Sequence, residues 1–73
     1  MDERTRIKKD VVMFEENIEK IKDLDLSEAQ LKTVELAGQY YDDSKYYLEK
    51  EDFFTSFGCI NYAHGLLDSI IKF

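Results

Sequence analysis

The sequence predicts an all-α fold, a three-helix antiparallel bundle in which a long hairpin of helices 2 and 3 is covered by helix 1. Three observations predict it. The 73 residues contain no proline and only three glycines, so little interrupts a helical pattern. Apolar residues recur at spacings of three and four along most of the chain. Two short polar breaks, at Asp23 to Leu26 and at Lys50-Glu51, divide the pattern in three, and links this short make consecutive helices antiparallel. The chain is read as one domain, residues 1–73.

Helix 1 is predicted from about Glu3 to Lys22. Ile7, Val11, Phe14, Ile18 and Ile21 alternate spacings of four and three, a narrow seam on an otherwise charged helix. Ser27 reads as the N-cap of helix 2, with Gln30 completing a capping box and Leu26 and Leu31 forming a hydrophobic staple. Helix 2 is predicted over Glu28 to Glu49. Its core face is Leu31, Val34, Ala37, Tyr41 and Leu48, with Ser44 and Lys45 along the same side; a second stripe carries Ala29, Leu36, Tyr40 and Tyr47. Asp52 reads as the N-cap of helix 3, which runs to about Lys72. Its first stripe is Phe53, Phe57, Ile60, Ala63, Leu67 and Ile71, and its second is Cys59, Tyr62, Leu66, Ile70 and Phe73. At ~100° per residue the two stripes span roughly 200°, about twice the arc of an ordinary surface helix.

Composition bounds the function. The net charge is −6, from 16 acidic and 10 basic residues, and an acidic surface repels phosphate backbones, so no nucleic-acid partner is expected. The one basic run, Arg4, Arg6, Lys8 and Lys9, reads as a solvated first part of helix 1. No apolar run nears the ~20 residues of a membrane span, and the charged N-terminus has no signal-peptide core, so a cytoplasmic location away from membranes is expected. Cys59 is the only cysteine and His64 the only histidine. An internal disulfide is therefore impossible, and neither zinc spacing nor an EF-hand loop is present. Asn61 stands three residues before His64, where a di-iron bundle needs glutamate. No metal or cofactor is expected, and with no catalytic motif the chain is not read as an enzyme.

From Tyr40 to Asp68 the chain reads YYDDSKYYLEKEDFFTSFGCINYAHGLLD. This resembles an archaeal family of short helical domains, domain of unknown function family 357, through Tyr47-Leu48-Glu49-Lys50 and the run Ile60 to Asp68, INYAHGLLD. The resemblance implies a helical fold and an archaeal source, and no activity. Two departures stand out. Glu51 replaces a frequent glycine, which implies a turn without a left-handed residue, and Leu66 replaces a frequent tryptophan. A looser likeness is to the helical domains that accompany minimal nucleotidyltransferases, whose ribonuclease members place an arginine shortly before a histidine. No arginine follows Arg6 here, so His64 lacks that partner.

Two candidate surfaces emerge. The first is the second apolar stripe: Leu36, Tyr40, Tyr47, Tyr62, Leu66 and Phe73 exceed what the narrow seam of helix 1 can cover. Aromatic surplus of this kind marks protein interfaces, which points to a homodimer or a partner protein. The alternative is packing within the monomer, with Tyr46 alone exposed. The second surface is a polar ridge on helix 3, formed by Gly58, Asn61, His64, Gly65 and Asp68. His64 and Asp68, four apart, could form a general-base pair in a ligand-binding or catalytic accessory subunit. The competing expectation is a half-buried histidine satisfied by a neighbour, with Gly58 and Gly65 there for close packing inside the bundle. Gly38 carries that same packing expectation.

Overall fold

The computed structural model describes residues 2–71 and holds three helices, α1 (Glu3–Ile21), α2 (Glu28–Glu49) and α3 (Phe53–Ile71). They form an all-α bundle, with α2 and α3 as an antiparallel hairpin and α1 packed along one side of it. Phe73 lies outside the described residues.

Each helix starts where its side chains can satisfy the free N–H groups of a first turn. Asp2 caps α1, its Oδ1 accepting from the Thr5 N–H at 2.8 Å; that bond, more than any nearby charge, holds the Asp2 carboxyl below its usual range. Ser27 caps α2 with the predicted box: the Gln30 N–H donates to Ser27 Oγ at 3.1 Å, and the Ser27 N–H donates to Gln30 Oε1 at 2.9 Å. Asp52 Oδ1 accepts from the Thr55 N–H at 3.2 Å and opens α3. Of the staple pair, Leu26 packs on the core, while Leu31 is 53% exposed, so Leu31 is not part of the core face. On the wheel of α2 it sits beside Glu49, about 120° from the buried Ala37.

The link between α2 and α3 corrects the expectation for Glu51. This residue adopts φ 63°, so the left-handed turn is kept without glycine. The Asp52 N–H donates to the Tyr47 carbonyl at 3.0 Å and the Glu51 N–H to the Leu48 carbonyl at 3.1 Å, the paired bonds of a Schellman motif. Arg4 reaches over from α1, 3.3 Å from Glu51 and 5.3 Å above the Phe53 ring. A left-handed residue with a Cβ costs about 1–2 kcal/mol. Glu51→Gly should remove that strain and lose only a weak exposed ion pair. The expected result is a gain of about 0.5–1 kcal/mol, read as a higher urea midpoint at unchanged slope.

The core joins the predicted seam of α1 to the inner faces of the hairpin. Ile7, Val11, Phe14 and Ile21 are buried, against Ala37 and Leu48 of α2 and Ile60, Ala63, Leu67 and Ile70 of α3. Ile70 was expected in the second stripe and belongs to the core. Phe57 was expected in the core and is 40% exposed. Between α2 and α3 the contact is made by small residues. Ser44 and Ser56 are fully buried and face each other, and by the same antiparallel register Ala37 falls opposite Ala63, each pair seven residues from the other. Small residues at this spacing let two helix backbones approach closely.

Candidate interaction surface

The hairpin has two grooves, and α1 fills one. On that side Phe14 stacks on Tyr41 at 4.9 Å and meets His64 edge-on at 5.8 Å. The Tyr41 hydroxyl donates to Glu15, and Lys45 Nζ stands 3.4 Å from the same oxygen. Burial pushes the Tyr41 phenol up, and the bond to Glu15 adds to it. The bond to Tyr41 raises Lys45 in turn.

His64 belongs to this filled groove. Its Nε2 lies 2.8 Å from the Asp10 carbonyl, and because a carbonyl only accepts, Nε2 carries the proton and donates. The polar ridge is thereby divided. His64 and Asp68 are half-buried along the α1 side, while Gly58, Asn61 and Gly65 are exposed on the outer face of α3. A Cβ built on Gly58 or Gly65 would meet nothing within 4 Å, so close packing inside the bundle does not explain either glycine. Gly38 is equally open, and nothing in the structure explains it. Burial pushes the Cys59 thiol up, and Asp43 and Asp52 push it further, the opposite of an activated nucleophile. Among the described residues no group of three or more histidine, cysteine or acidic side chains is placed to hold a metal ion. No described helix is long and apolar enough to cross a membrane.

The second groove lies on the other side of the hairpin. At ~100° per residue, Leu36, Tyr40 and Tyr47 fall on the flank of α2 opposite Tyr41, and Cys59, Tyr62 and Leu66 on the matching flank of α3. Tyr40 and Tyr62 meet across it edge to face, ring centres 4.6 Å apart. Tyr40 and Leu66 are half-buried and pack on the core, and Tyr47 is half-buried. Leu36 stays 39% and Tyr62 51% exposed. Leu36, Tyr40, Tyr47, Tyr62 and Leu66 thus share this side of the hairpin, with Leu36 and Tyr62 left open.

A family model described as Protein of unknown function (DUF357) matches residues 9–73. The chain belongs to this family. Comparison with curated proteins finds no match. The DUF357 match takes in most of α1, all of α2 and α3, and both grooves of the hairpin; it begins after Arg4 and Arg6.

Sequence reasoning missed one surface feature. Phe54 is 91% exposed and, with Phe53, Phe57, Glu3, Arg6 and Ile7, lines a cleft of about 240 Å³ between the starts of α1 and α3. Its signal was available: Phe54 falls outside both apolar stripes of α3, about 120° from the buried Ile60.

Proposed function

We propose that this DUF357 domain is a small non-catalytic interaction module whose α2–α3 hairpin receives a helix in its second groove. One observation carries the reading. The same hairpin already seats an amphipathic helix, α1, in its first groove, and the second is apolar and tyrosine-lined with Leu36 and Tyr62 open to solvent. Tyrosine suits such a site because it offers a large apolar body with a polar tip. A reducing, cytoplasmic setting fits a chain whose lone thiol is held protonated.

The test is Leu36→Glu. Leu36 is exposed and outside the buried core, so the variant should keep its helicity and lose no more than about 0.5 kcal/mol of stability. Its association with the proteins that co-purify with the wild type from the native source should fail. Equal association by wild type and variant would sink the proposal.

A further inference from the structure

We infer that the outer face of α3 is a second and separate docking surface, and that its occupant is a second copy of this chain. The face is a stripe of Phe54, Gly58, Asn61 and Gly65 at spacings of four, three and four, flanked by Phe57. All five residues are exposed. A surface helix normally turns charged residues to water. Over the 19 residues of α3 there is one carboxylate, Asp68, and no lysine or arginine, in a chain where 26 of 73 residues are charged. Phe54, 91% exposed, makes the face apolar as well as uncharged.

The charge distribution selects the occupant. Two copies of a chain with net charge −6 repel each other across most of their surfaces. The exposed side of α2 carries Glu28, Glu35, Asp42, Asp43 and Glu49, and pairing there would face carboxylates against carboxylates. From Phe54 to Gly65 the stripe on α3 carries none, and Asp68, three residues further on, is half-buried, so two acidic copies meet on the stripe with carboxylates only at its ends. A basic partner would instead be drawn to α2.

The stripe is also complementary to itself when reversed. In an antiparallel pair Phe54 falls opposite Gly65 of the second copy, and Gly58 opposite its Asn61. A two-fold axis repeats both contacts. Each layer then sets a longer side chain, Phe54 or Asn61, against a glycine, the alternation that lets facing helices interdigitate. The molecule already uses this device on the inner face of α3, where Ser56 and Ala63, also seven apart, seat α2. On the outer face Gly58 and Gly65 have the same spacing, and none of the described residues is seated on them. Each mid-helix glycine weakens the helix relative to alanine, with no packing return among the described residues.

The experiment is sedimentation equilibrium on the full chain and three variants, with thermal melts of each. Wild type should self-associate. Phe54→Glu should keep its monomer stability and raise the dissociation constant at least about tenfold, as expected for a central aromatic anchor. Gly58→Ala/Gly65→Ala should melt higher, because the added methyls meet open space and favour helix, yet associate more weakly. A merely structural role for the glycines cannot give those opposite signs. Leu36→Glu separates the two surfaces, since it should leave this self-association intact. Register is read in a Cys59→Ser background, where a mixture of Gly58→Cys and Asn61→Cys chains should oxidise to the mixed dimer faster than either alone. Self-association lost in Leu36→Glu and kept in Phe54→Glu would place the second copy in the groove and overturn the inference. A wild-type monomer at all concentrations would overturn it too, leaving the groove proposal to its own test.

Discussion

Phe14→Ala is expected to remove about 3–5 kcal/mol and to release α1 from the hairpin. Phe14 is 2% exposed and touches both other helices through its ring, stacking on Tyr41 and meeting His64 edge-on. Its loss removes the transfer energy of the largest side chain in the α1 seam and leaves a cavity that rigid helices fill poorly. Two polar ties of α1 to the hairpin, Tyr41 to Glu15 and His64 to the Asp10 carbonyl, lie within a residue or a turn of it and should fail with it. A domain of this size has on the order of 4–11 kcal/mol in all, so the change is a large share. Urea unfolding gives the magnitude. Hydrogen exchange gives the mechanism: α1 amides should lose protection well before those of α2 and α3. Uniform loss across all three helices would mean that the hairpin cannot stand without α1.

What could be read from the residues, and what could not, follows from what sets each feature. Helix starts depend on local hydrogen bonding, so Ser27 with Gln30 marked its boundary within four residues. The seam of α1 was legible because one narrow stripe allows one orientation, and Ile7, Val11, Phe14 and Ile21 are all buried. On α2 and α3 the apolar arcs are wide, and periodicity alone cannot say which edge faces inward. That ambiguity put Phe57 on the first stripe and Ile70 on the second, whereas the structure leaves Phe57 40% exposed and buries Ile70. The deciding contact, Ser44 against Ser56, is polar by residue type and silent in an apolar count. Glu51 was misjudged for a related reason: the left-handed turn is fixed by the backbone bonds to Leu48 and Tyr47, and glycine only makes it cheaper.

The candidate site divides the same way. The second stripe was visible as excess apolar surface, but its partition needed the packing angle: Tyr40 and Leu66 are half-covered by the monomer, and Leu36 and Tyr62 are open. The ridge around His64 looked continuous on a helical wheel. In space α1 passes close enough to take His64, so the glycines and Asn61 are left facing water without it.

Ser56→Leu is the second large effect expected, because it acts where the hairpin has no spare room. Ser44 Oγ donates to the Ser56 carbonyl at 2.8 Å, Ser56 Oγ donates to the Ser44 carbonyl at 2.7 Å, and the hydroxyls lie 3.1 Å apart. Each hydroxyl therefore reaches the main chain of the opposite helix, which requires near contact of the two backbones. Ser56→Ala would lose one crossing bond, about 1 kcal/mol. Leucine would lose the same bond and force two more heavy atoms than serine between the helices, adding about 1–3 kcal/mol of overpacking. The hairpin should yield by parting at that point, which widens the second groove under Tyr40 and Tyr62. Thermal or urea unfolding of the two variants checks the ordering, with leucine clearly worse than alanine. A double-mutant cycle with Ser44→Ala should show non-additivity, because the two hydroxyls share one pair of carbonyls. Equal costs for alanine and leucine would mean that the helices stand further apart than these bonds require, and the spacing of the groove would then have to be set by the aromatic residues that line it.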